Sequence, residues 1–174
     1  DLVKKLVSFD TTSRDSNLAL IEWVSGYLGG LGIKSHLVFD ETGKKANLWA
    51  TVGPADKPGL VLSGHTDVVP IDGQEWTVAP FVPMERDGKL FGRGTTDMKS
   101  FVGVCLSLAP ELARKKLDRP VHFAFSYDEE VGCLGVRRLL ADLQARGIRP
   151  MGCVVGGPTN MKVIRAHKGK LSLR

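Results

Sequence analysis

Short apolar runs alternating with longer helical patterns constrain this chain more than any other feature. Leu60-Val61-Leu62, Val121 to Ser126 and Val154-Val155 are brief and bounded by turn residues, so they read as buried strands. Val121 to Ser126 is mostly apolar and alternates poorly, as a strand covered on both faces does. Helical spacing relates Leu2, Val3, Leu6 and Val7. It relates Leu18, Ile21, Trp23, Val24 and Leu28 behind the capping residue Ser16. It recurs from Ser100 to Lys116, where Pro110 predicts a kink or break, and from Leu134 to Arg146, with Leu139, Leu140 and Leu143 on one side. Strands alternating with helices predict an α/β fold with helices on both sides of a sheet.

The connections are legible too. Gly29, Gly30 and Gly32 stop the second helix and Gly147 the last. Lys34 to Phe39 and Asn47 to Val52 read as strands joined by a turn at Asp40 to Lys45. Ile71 to Pro83 reads as an irregular surface loop, and Asp87-Gly88 as a hairpin turn. Val154-Val155 reads as another central strand.

At 174 residues the chain suits one well-packed domain. The pattern is interrupted near Gly156-Gly157-Pro158, so residues 1–160 form one expected unit and residues 161–174 the start of another. The net charge is +5, but Arg114-Lys115-Lys116 and Arg137-Arg138 are short clusters without interleaved aromatics, which argues against a nucleic-acid partner. No run approaches the roughly 18 to 20 apolar residues of a membrane span, and the start lacks a signal-peptide pattern, so a cytoplasmic protein with no membrane partner is expected. Cys105, Cys133 and Cys153 lie among apolar neighbours with no Cys-x-x-Cys pair and read as reduced core residues. The chain lacks an initiator methionine and stops without a closing element, so trimming is expected at its ends.

Chemistry concentrates where strands give way to loops. "SGHTDVVP" places His65 and Asp67 two positions apart, on the same side of an extended segment. A neutral imidazole ligates metal through one nitrogen while a partner takes the proton on the other. The alternative is a His-Asp bond that only ties down a loop. Asp97 in "GRGTTDMKS" follows glycines that permit an unusual backbone approach, and it suits either a metal bridge or a helix cap. In "SYDEEVGCLG", Glu129 and Glu130 diverge as neighbours, so one can ligate metal and the other accept a proton; a charged helix start is the alternative. The clusters are evenly spaced, at residues 65, 97 and 129, as successive α/β units would place them along one sheet edge. Imidazole and carboxylate donors without thiolates favour zinc, cobalt or manganese.

Together with "GGPTNMKVIRAHKG", these motifs resemble, in order, those of the co-catalytic zinc aminoacyl hydrolases. That family includes acetylornithine deacetylases, succinyl-diaminopimelate desuccinylases, aminoacylases and carboxypeptidase G. "DGQEWTVAPF", "ERDGKLFGRGTTDMKSF" and "RAHKGK" make the likeness strongest to the acetylornithine deacetylase branch. The resemblance implies a three-layer zinc-peptidase-like domain with a mixed, mostly parallel sheet. It also implies hydrolysis of a small N-acyl amino acid, acetylornithine by the nearest branch, within arginine biosynthesis. By the same resemblance His65 ligates metal and Asp67 orients it, Asp97 bridges two zinc ions and precedes a cis peptide bond, Glu129 is the general base and Glu130 is a ligand. Cobalt is an alternative metal. The family's Gly-acid-Pro-Thr motif reads Gly156-Gly157-Pro158-Thr159 here, so Gly157 stands where an acidic ligand is usual. A second histidine ligand and most of the lid or dimerisation domain, through which a homodimer is implied, belong to segments absent from this sequence. The span alone is therefore expected to hydrolyse little or nothing.

Overall fold

A computed structural model describes residues 2–166. The element order is α1 (Leu2–Val7), α2 (Leu18–Gly30), β1 (Ser35–Phe39), β2 (Ala46–Val52), β3 (Leu60–His65), β4 (Met84–Arg86), β5 (Lys89–Phe91), α3 (Lys99–Arg114), β6 (Val121–Ser126), α4 (Leu134–Ala145) and β7 (Gly152–Val155). Five strands form a mixed sheet in the order β1-β2-β6-β3-β7. The β1-β2 and β2-β6 ladders are antiparallel, and β6-β3 and β3-β7 are parallel. The half of the sheet that carries the site is thus the parallel half. Strands β4 and β5 make the expected hairpin, with Asp87 and Gly88 both at positive φ, as a tight two-residue turn requires.

Side-chain alternation divides the sheet into two faces. Leu48, Ala50, Val52, Phe123 and Phe125 turn one way and join Leu6, Leu20, Ile21, Val24, Leu28, Val102 and Leu106 in the main core, beneath α1, α2 and α3. Trp49, Val61 and Ala124 turn the other way and meet Leu139 and Leu143 of α4. This is the expected three-layer arrangement, and it explains the apolar character of β6, which is covered on both faces.

Four expectations are corrected. Pro110 does not break α3, which runs through it. A proline leaves the carbonyl four residues earlier without its helical donor, and here the Tyr27 hydroxyl donates to the Leu106 carbonyl at 3.2 Å. Leu140 is 59% exposed while Leu139 and Leu143 are buried, because the sheet meets only one stripe of α4. Strand β7 is an edge rather than a central strand, and Val155 is 68% exposed. Of the three free cysteines only Cys105 is buried; Cys133 lies in the loop before α4 and Cys153 on the edge strand. Burial pushes the Cys105 thiol up to about 12, so it is chemically inert. Among the described residues no helix is long and apolar enough to cross a membrane. The expected second unit over residues 161–174 and the "RAHKGK" motif lie largely outside the described residues.

A candidate metal centre at the end of the parallel strands

Strand β3 ends on His65, level with Ser126 at the end of β6. The chain then turns, and Thr66 is anchored behind the site: its N–H donates to the Ser126 carbonyl at 2.8 Å, and its hydroxyl receives the Asn17 amide at 3.0 Å. Asn17 also brackets Ala46 of β2, with bonds of 2.9 and 3.0 Å. This buried amide fixes the strand end against the neighbouring elements.

His65 is buried and oriented. Its Nδ1 lies 2.9 Å from the main-chain carbonyl of Asp67, an atom that can only accept, so Nδ1 carries the proton and Nε2 faces outward. The Asp67 carboxylate is 3.5 Å from the same nitrogen, too distant for a good bond. Asp67 therefore aims the ring mainly through its backbone, while its side chain serves other donors. Oδ1 accepts the Glu129 N–H at 3.0 Å, and Oδ2 accepts the Glu130 N–H at 3.2 Å and the Ser13 hydroxyl at 2.7 Å. Burial opposes ionisation of this carboxyl, yet the adjacent His65 ring and the hydrogen bonds from Ser13 and Glu129 hold it below the usual carboxylate range.

Two of the other carboxylates face Nε2. Asp97 Oδ1 stands 3.0 Å from it and Glu129 Oε2 3.7 Å. His65, Glu129 and Glu130 each offer a ligand atom, and these atoms lie within 4.8 Å of one another. Asp97 does not cap α3: Met98 occupies the cap position without a side-chain bond, and the Asp97-Met98 peptide is cis. Nor do the glutamates begin a helix, since α4 starts at Leu134. The glycine-rich approach to Asp97 is a steric requirement, because a Cβ on Gly94 would stand 2.8 Å from Val68 Cγ1 and 3.1 Å from Lys99 Cδ.

The electrostatics fit a cation. Burial works against charging the His65 ring, but the close Asp67 carboxylate, the charge of Glu129 and the bond to the Asp67 carbonyl outweigh it and raise the imidazole to about 9. Burial raises Glu130, and the like charges of Asp97, Glu129 and Asp67 add to it against His65. Even a cationic ring balances only one of the four carboxylates at this strand end, and an imidazole nitrogen with carboxylate oxygens is a donor set that suits zinc and related divalent ions. A cleft of about 260 Å³ adjoins the cluster, lined by Gly92, Arg93, Thr95, Thr96, Asp97 and Glu130 among others. A larger cavity of about 780 Å³, between α4 and the β3-β7 edge, is apolar and holds none of these five residues.

The structure thus brings His65, Asp67, Asp97, Glu129 and Glu130 together. Gly157 lies two residues beyond Val155, which pairs with Ser63, as His65 lies two beyond Ser63. A Cβ on Gly157 would meet nothing within 4 Å. Sequence reasoning missed Ser13, Lys45 and Asp128. Lys45 Nζ donates to Asp128 Oδ1 at 2.6 Å and to the Ser13 carbonyl at 2.5 Å, directly behind the two glutamates. The run Asp10-Thr11-Thr12-Ser13 was the available signal, although its composition is that of an ordinary loop.

Residues 61–168 match the family model described as peptidase family M20/M25/M40. An acetylornithine deacetylase from Pasteurella multocida (strain Pm70) is 39% identical over 163 residues, 93% of this chain and 42% of that protein. One from Yersinia pestis is 37% identical over 168 residues, 94% of this chain and 42% of that protein. The chain thus spans about two fifths of the length of these relatives. An M20 family metallo-carboxypeptidase from Sulfolobus solfataricus superposes with a TM-score of 0.77 at 19% identity, over 89% of this chain and 36% of that one. Human carnosine dipeptidase 1 does so with a TM-score of 0.71 at 25% identity, over 88% and 36% respectively.

Proposed function

The chain belongs to peptidase family M20/M25/M40, and from that premise we propose that it is the amino-terminal catalytic portion of a metal-dependent amidohydrolase that deacetylates N-acetylornithine. The observation that carries this reading is the convergence of residues 65, 97, 129 and 130 at one strand end. The identity to two acetylornithine deacetylases supports the choice of substrate. In the same reading residues 1–160 belong to the catalytic domain. The whole protein is then a cytoplasmic homodimer in arginine biosynthesis, with zinc as its metal and cobalt as the alternative.

His65, Asp97 and Glu130 would hold the metal. Bound there, it supplies Lewis acidity toward the acyl carbonyl. The remaining work falls to the chain. Asp67 keeps Nδ1 of His65 protonated and Nε2 directed at the cluster. Glu129 takes a proton from the attacking water, whose oxygen bonds to the acyl carbon, and returns that proton to the amine nitrogen as the amide C–N bond breaks.

The test is kcat/KM on the full-length protein for N-acetylornithine, N-succinyl-diaminopimelate and a dipeptide. N-acetylornithine should be favoured by at least about tenfold, or about 1.4 kcal/mol of transition-state stabilisation. Preference for either competitor overturns the substrate assignment. The 174-residue chain alone, supplied with zinc or cobalt, is expected to turn over little or nothing, and robust activity would show that it needs no further residues.

Gly157 favours a second reading, a domain that has lost metal binding. The space around its Cβ position admits a larger residue. Gly157→Glu is expected to raise zinc affinity at least about tenfold, since an added anionic donor outweighs the tens-of-fold effects of residues that only support ligands. Weak binding by both the natural chain and the variant in calorimetry would favour the silent domain.

A further inference from the structure

Asp67 has more donors than aiming a histidine requires, and one of them comes from the far end of the sequence. The loop after α1 runs beside the segment that follows β3. Val68 N–H donates to the Thr11 carbonyl and Ser13 N–H to the Val68 carbonyl, each at 3.1 Å. The Thr11 hydroxyl donates to the Thr66 carbonyl at 2.5 Å. These bonds make a short parallel bridge between Thr12 and Val68, outside the main sheet. At its end the Ser13 hydroxyl reaches Asp67 Oδ2, with both residues buried.

Ser13 sits where two lines of support meet. Its carbonyl accepts Lys45 Nζ, which also pairs with Asp128 in a largely enclosed contact. Asp128, held at a φ of 54°, sets the chain's direction into Glu129 and Glu130. Their N–H groups return to the same carboxylate that Ser13 holds. Rotation of the Asp67 carboxylate would therefore release the 129–130 backbone from the β3 end.

We propose that Ser13 is a positioning residue of the metal centre: its hydroxyl locks the Asp67 carboxylate in the orientation that ties the Glu129-Glu130 backbone to the segment whose main chain aims His65. This rests on reading the cluster as a metal site. Groups bonded directly to a ligand typically change metal affinity about 10- to 100-fold when removed, and Ser13, one bond further out, is expected at the lower end of that range.

The test is zinc titration by calorimetry on the full-length protein, with cobalt absorption as a second readout. Ser13→Ala should bind zinc about tenfold more weakly and shift the visible cobalt bands. Ser13→Thr, which keeps the hydroxyl, should restore both. A role in folding alone would lower the melting temperature of the metal-free protein and leave affinity and spectrum unmoved below the transition; that result overturns the proposal. Should Ser13→Ala fail to fold, Ser13→Cys decides, because a thiol of similar shape is a poor donor: wild-type affinity overturns the proposal, and at least tenfold weaker binding supports it. Failure of the wild-type protein to bind zinc would instead overturn the metal-site reading beneath it.

Discussion

Replacing Glu129 with glutamine in the full-length protein should lower kcat by about 10²- to 10⁴-fold, the usual contribution of a positioned general base. In free-energy terms that is about 3 to 5 kcal/mol of barrier. Glutamine keeps the side chain's size and the N–H that donates to Asp67, so the fold around the site survives. It cannot accept a proton from water. Zinc affinity should be nearly unchanged, because the resemblance gives the ligand role to Glu130. Geometry alone leaves either glutamate able to ligate, since both offer an oxygen within 4.8 Å of a His65 ring nitrogen. The informative comparison is therefore with Glu130→Gln, which should lose zinc affinity as well as turnover. Near-normal kcat in Glu129→Gln removes that residue from the role of base. Lost zinc affinity in that variant, with affinity retained in Glu130→Gln, exchanges their roles.

The second large effect is on stability. Phe123 lies at the centre of β6 with no exposed surface, between Ala50 and Leu62 on the adjoining strands, its ring 6.1 Å from that of Phe125. Phe123→Ala removes a ring from the main core and leaves a cavity that the sheet cannot close, at a cost of about 3 to 5 kcal/mol. For a chain of this length that lowers the melting temperature by roughly 6 to 20 °C. Denaturant unfolding should show the midpoint falling with the slope retained. A loss below about 1 kcal/mol, within reach of an ordinary surface change, would mean that β6 is not the packed centre of the sheet.

Both effects trace to residues legible in the sequence, but legible in different ways. Phe123 falls within the mostly apolar run from Val121 to Ser126, and burial follows from that pattern wherever the strand is placed. Glu129 stood out only beside Glu130, and adjacency cannot separate a base from a ligand. Asp97 was ambiguous for the same reason. A carboxylate before a helix suits a cap as well as a metal, and only its 3.0 Å approach to His65, with Met98 taking the cap position, removes the cap reading.

Spacing along the chain determined what covalent geometry controls: the strands and helices, the hairpin at Asp87-Gly88, and the placing of His65 and Asp67 together at a strand end. Those features depend on neighbours a few residues away, whose relative positions the backbone limits to a few choices. Tertiary structure decided the rest. Leu140 and Val155 carry the apolar character of core residues yet stand exposed, because exposure depends on what packs against them. Pro110 is tolerated because Tyr27 supplies the missing donor from another helix. Ser13 reaches Asp67 across a sequence separation of 54, and no local pattern marks that bond. A hydroxyl in a loop has many partners within its reach, and only the packed chain selects one.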